Sequence, residues 1–111
     1  MYNGIKYLRE VCDELKVSRR AIQGYEKAGL VSPTDRNKYG HLLYDDKAQK
    51  RIETIKLYQQ LGFSIKEITQ LIDAPQPVIK QALKKQVVYL KGEKERIDLL
   101  IERAYELMEM M

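Results

Sequence analysis

Arg19, Arg20 and Gln23 stand close together in the stretch 17–31, VSRRAIQGYEKAGLV. Arginine and glutamine match base edges in the major groove with paired hydrogen bonds. Ser18, Tyr25, Arg36, Lys38, Tyr39, His41 and Lys66 are of types that bond phosphate oxygens or reach into a groove. The chemistry these residues offer is non-covalent recognition of a polyanion. Catalysis has little to stand on. The chain has one His, one Cys, no glycine-rich phosphate loop and no convergent carboxylate motif. The single cysteine, Cys12, excludes an internal disulfide framework and a multi-cysteine zinc site. Its spacing is that of a buried core residue, not of a redox sensor. His41 has no metal partner nearby and reads as a groove contact. No enzyme activity, metal or cofactor is expected.

The elements that must position these side chains follow from spacing. Ile5, Leu8, Val11, Cys12 and Leu15 recur at helical intervals, so residues 5–15 read as a first helix. Lys16 and Val17 turn the chain. Ser18 is a good N-cap for a second helix, whose apolar face is Ala21, Ile22 and Ala28 and which Gly29 ends. Two helices joined this tightly, the second one basic, form a helix-turn-helix candidate. Residues 30–44, LVSPTDRNKYGHLLY, are rich in turn formers and read as a β-hairpin with its tip at residues 35–40. A basic hairpin in that place is a wing. Asp45 or Asp46 caps a third helix running to about Leu61, with Ala48, Ile52, Ile55, Leu57, Tyr58 and Leu61 mostly inward. Ser64 and Glu67 form a capping box for a fourth, ending near Asp73. Its capped end, beside Lys66, offers amides to a phosphate.

Pro75 and Pro77 set a boundary between a domain at 1–75 and a helix at 76–111. In that helix Leu83, Val87, Leu90, Lys94, Ile97, Ile101, Ala104, Met108 and Met111 fall at alternating d and a positions of a heptad. Leu100 and Leu107 widen the stripe. Some 34 residues of helix span about 50 Å, more than so small a domain can cover, so a coiled-coil homodimer through residues 78–111 is expected. Lys94 at an a position reads as a register device. Gly92 falls at f and costs roughly 1 kcal/mol against alanine. The methionines at 108, 110 and 111 read as packing, not as a soft-metal site. The fold class is thus all-α with a small β wing: a winged helix-turn-helix domain followed by a long coiled-coil dimerisation helix.

The 111 residues carry a net charge of +4, which leans towards nucleic acid. Residues 1–75 hold 13 basic and 10 acidic side chains, and residues 76–111 hold 7 and 6, so the excess sits on the winged half. No signal peptide and no bilayer-spanning apolar run is visible, and a cytoplasmic location is expected.

Three motifs in this order resemble the MerR family of bacterial transcription regulators. They are VSRRAIQGYEKAGLV at 17–31, the wing with Gly40 and Tyr44, and LGFSIKEI at 61–68. The resemblance covers about residues 5–73, and the terminal helix matches the family's antiparallel dimerisation helix in kind. It implies a homodimer that reads an inverted repeat in double-stranded DNA and distorts a promoter for RNA polymerase. It also implies a short member, since no effector domain is seen in the 111 residues. Two departures matter. Gln23-Gly24 stands where the family usually has Arg-Tyr, and Leu42 stands where its wing usually has arginine. Each missing phosphate contact weakens binding and flattens its salt dependence. The rival expectation is a protein-interaction adaptor on a winged domain of weakened DNA affinity. A second rival is an excisionase-like architectural factor, whose kind usually lacks so long a coiled coil.

Overall fold

The apolar positions of the first part of the chain close into one core. Tyr44, Ile22, Ile52, Ile55, Ile68 and Val11 are all less than 2% exposed in a computed structural model, which describes residues 4–111. Burying each such side chain contributes about 1.5–3 kcal/mol. Among the described residues, five helices and a small sheet follow in the order β1 (Lys6–Tyr7), α1 (Leu8–Leu15), α2 (Arg19–Lys27), β2 (Asp35–Arg36), β3 (Leu42–Tyr44), α3 (Asp46–Leu61), α4 (Ile65–Leu71) and α5 (Gln76–Glu109). The chain divides into two compact units, Met1–Asp73 and Ala74–Met111. Winged helix-turn-helix architecture and a long terminal helix are therefore both present.

The first strand is a correction. Helical spacing from Ile5 suggested a helix start there, but Lys6 and Tyr7 pair antiparallel with Tyr44 and Leu43. Polar pins hold this edge. Asp46 Oδ1 accepts from the Gly4 amide at 2.9 Å, and Gln49 Nε2 donates to the Gly4 carbonyl at 2.8 Å and to the Tyr44 carbonyl at 2.9 Å. Ile5, placed in the helical stripe, is 57% exposed. The sheet order is β1-β3-β2, so β3 is central.

Helix ends follow local chemistry. Ser18 Oγ accepts from the Ala21 amide at 3.0 Å, and Asp45, not Asp46, caps α3 through the Ala48 amide at 2.8 Å. At the end of α2, the Leu30 amide returns to Tyr25 O and the Gly29 amide to Glu26 O, with Gly29 at φ +77°. That is a Schellman closure, which requires a left-handed residue. Ala28 lies just beyond the helix and is exposed, not part of its apolar face. The end of α3 repeats the device at Gly62, and Phe63 folds back edge-on against Tyr58 at 6.0 Å. Leu57 is a second correction, at 52% exposure. The core side of α3 is Ala48, Ile52 and Ile55, and two residues beyond Ile55 the helix has turned to its outer side. The capping box at Ser64 and Glu67 forms as the spacing suggested. Four residues of α5 on the expected stripe illustrate its state: Val87, Ile97, Ile101 and Met108 are 47–58% exposed, and the helix buries no side chain fully.

Candidate nucleic-acid interface

The turn between α1 and α2 is the hinge of the recognition element. Lys16 takes a left-handed conformation at φ 55°, and the Val17 amide donates to Cys12 O at 3.1 Å. Val17 is buried, and Lys56 Nζ donates to the Leu15 carbonyl at 2.7 Å, fixing where α2 starts. Ile22 and Tyr25 face inward from α2, which turns Arg19, Arg20 and Gln23 outward, all exposed.

Tyr25 is corrected here. It was expected among the phosphate contacts, yet it is 2% exposed and its hydroxyl donates to Gln59 Oε1 at 2.6 Å. Its spacing of three from Ile22 puts it on the same inner face of α2. Burial raises its phenol pKa. Tyr44 is likewise a core residue, its hydroxyl donating to Glu26 Oε1 at 2.7 Å, and burial followed by that contact raises its pKa strongly.

The wing is shorter at its tip than the sequence suggested. Asp35 and Arg36 are paired strand residues opposite Leu43 and Leu42, and the turn occupies residues 37–41. Leu30 and Val31 lie ahead of the hairpin and are buried in the core. Pro33 follows them without a backbone donor, and pairing resumes where the Thr34 amide meets Leu43 O at 2.8 Å. Asn37 organises the tip. Its Oδ1 accepts from the amides of Tyr39 at 2.9 Å and His41 at 3.0 Å, while Gly40 supplies φ +80°. Arg36 Nη1 donates across the turn to Gly40 O at 3.1 Å, and Lys38 Nζ lies 5.2 Å from the Tyr39 ring centroid.

Between α2 and the wing runs an open groove of about 1030 Å³. It brings together Arg19, Gln23, Arg36, Tyr39 and His41 of the expected residues. Ser18, Arg20 and Lys38 are exposed on the same two elements but outside its lining, and Lys66 is exposed on α4. Lining residues that escaped the sequence reading include Tyr7, Arg9 and Glu10. Arg9 was visible as an outward residue of α1, but which outward face meets the wing is set only by the fold. Leu42, in the place of the missing wing arginine, is half-buried in the groove wall.

Away from the groove, Arg51 ties the unit together. Its Nε donates to Leu30 O at 2.8 Å, and its two terminal nitrogens grip Asp73 at 2.6 and 2.8 Å. The Arg51 hydrogen bond holds the Asp73 carboxyl below its ordinary value. Among the described residues no three His, Cys, Asp or Glu side chains gather as a metal site. None of their helices is long and apolar enough to cross a membrane.

Fold and groove together define a winged helix-turn-helix protein. Residues 7–75 match the MerR HTH family of regulatory proteins, and the chain belongs to that family. The HTH-type transcriptional activator mta of Bacillus subtilis (strain 168) is 30% identical over 99 residues, covering 88% of this chain and 38% of that protein. The chain thus spans about two fifths of that relative's length. A MerR-family transcriptional regulator from Bacillus cereus superposes with a TM-score of 0.76 at 28% identity, over 92% of this chain and 78% of that one. HiNmlR, a MerR family regulator lacking the sensor domain and bound to promoter DNA, superposes at 0.75 over 88% of this chain and 79% of its own. At 16% identity that last likeness is one of fold.

Proposed function

We propose that this chain is a sequence-specific DNA-binding transcription regulator that acts as a homodimer on an inverted-repeat promoter. The observation that carries the reading is the groove, where a capped helix and a wing aim Arg19, Gln23, Arg36, Tyr39 and His41 at one open face. Arg19, Arg20 and Gln23 enter the major groove and read bases. Ser18, Arg36, Lys38, Tyr39, His41 and Lys66 hold the backbone on either side. HiNmlR, of the same fold, is bound to promoter DNA, which supports DNA binding by this chain.

Residues 1–75 bind DNA in this reading and residues 76–111 pair two copies. The seam is Leu83, Val87, Leu90, Lys94, Ile97, Ile101, Ala104 and Met108. All but the half-buried Leu83 are exposed, the condition a pairing surface needs. Two joined copies bend and untwist the promoter and present it to RNA polymerase. Such distortion costs roughly 1–6 kcal/mol by elastic estimates, which contacts along both half-sites offset. The protein works in the cytoplasm on this reading.

Selection of bound duplexes from a random library at two salt concentrations tests the proposal. Recovery of an inverted repeat is the expected result, and its spacing reports the dimer geometry. No enrichment at either salt overturns it in favour of an adaptor whose winged domain has lost DNA affinity.

A further inference from the structure

Tyr7 and Arg9 enter the groove from neither the recognition helix nor the wing. Tyr7 is fixed by its pairing opposite Leu43 and by its amide, which donates to Glu10 Oε1 at 3.0 Å. Its ring is 47% exposed and meets His41 edge-on, with centroids 6.1 Å apart and planes at 89°. Arg9 stands in the first turn of α1, exposed, and makes no ion pair among the described residues. Lys6 nearby is different, because its ammonium is bound by Glu14. Arg9, Arg19 and Arg36 therefore line one groove, and the carboxylate of the groove's Glu10 is turned to the Tyr7 amide. Three positively charged side chains lining one groove favour an anion within it. Their planar forks suit phosphate oxygens.

We propose that Tyr7 and Arg9 are further DNA contacts, so that the β1–α1 side of the groove meets the sugar-phosphate backbone beside the bases that Arg19 and Gln23 read. Arg9 neutralises a backbone phosphate from the side facing the wing. The Tyr7–His41 pair covers the adjoining deoxyribose. This rests on the DNA-binding reading above. It adds the β1–α1 junction to α2, the wing and α4 on the surface that grips the duplex.

The test is fluorescence anisotropy on a mixed-sequence duplex over a salt series, for the intact chain, Arg9→Ala, Arg9→Lys and Arg19→Ala. Loss of one phosphate contact lowers the slope of log K against log salt by about 0.9, equally on every sequence. That result is expected for Arg9→Ala, with the slope restored in Arg9→Lys. A circular-dichroism melt checks that each variant folds. Wild-type affinity and slope in Arg9→Ala, alongside weakened Arg19→Ala, overturns the Arg9 contact and leaves DNA binding standing. No salt-dependent binding by the unaltered chain overturns both.

Discussion

The two units of this chain have opposite economies of burial. In Met1–Asp73 eleven side chains, from Val11 to Ile68, form a shared buried cluster, ringed by half-buried Leu8, Leu15, Tyr58 and Phe63. In α5 not one side chain is fully buried, although Val87, Leu90, Ile97, Leu100, Ile101 and Met108 are large and apolar. The first unit closes on itself and leaves Arg9, Arg19, Arg20 and Lys38 exposed to serve a ligand. The second has a helix's hydrogen bonds without a core, and helices in proteins gain most of their stability from packing. On the proposed reading, a chain built this way separates recognition from assembly: one unit's stability is its own, and the other's depends on concentration.

The sharpest way to break that contrast is to charge the proposed seam. Ile97→Asp with Ile101→Asp should yield monomers in analytical ultracentrifugation, with the helicity of α5 reduced. Persistent dimers would place the pairing surface elsewhere. The Met1–Asp73 unit should keep its own melting transition in the same variant. The reciprocal change, Ile55→Ala, empties part of a fully buried site and should cost about 2–5 kcal/mol in chemical denaturation. Its effect should not depend on protein concentration once the seam is charged. A concentration-dependent loss there would mean the first unit leans on assembly after all.

The same contrast explains what could be read from sequence. Helices with strong caps were legible, because Ser18, Asp45, Ser64, Gly29 and Gly62 act on neighbours within a few residues. The long helix α5 was legible for the same reason, its apolar period being local. What escaped was set by distant partners. Two residues of β1 are too short to show a period, and their pairing depends on β3, thirty-odd positions away. Tyr25 looked like a surface contact by type, and the Gln59 side chain that accepts its hydroxyl inside the unit lies 34 positions away. Arg9 and Tyr7 joined the candidate surface only when the sheet brought α1 beside the wing. The departures at Gln23, Gly24 and Leu42 were plain in the sequence, and Arg9 is a cation that the fold adds to the same groove lining.

Base reading and backbone grip should separate by variant. Arg20→Ala should cost about 1–3 kcal/mol on a selected site and relax preference at one position if Arg20 reads a base. A uniform loss over all sequences would reassign it to phosphate. Binding isotherms on the selected site and on scrambled duplexes distinguish the two.

The smallest expected effect concerns Asp73, where the first unit ends. Its carboxyl is held below the ordinary value by the Arg51 hydrogen bond. A carboxylate with a lowered folded pKa stabilises the fold above its unfolded value, near 4, and loses that contribution as pH falls through the folded value. Asp73 is mostly exposed, so solvent screens the pair and the contribution is modest. Asp73→Asn should therefore leave the urea midpoint almost unchanged at acid pH and lower it slightly at neutral pH, flattening the acid slope. Glu67, lowered by its hydrogen bonds to Ser64, works in the same window and keeps part of that slope in the variant. An unchanged profile would mean that Arg51 secures the end of this unit through the Leu30 carbonyl alone, leaving the ion pair without weight.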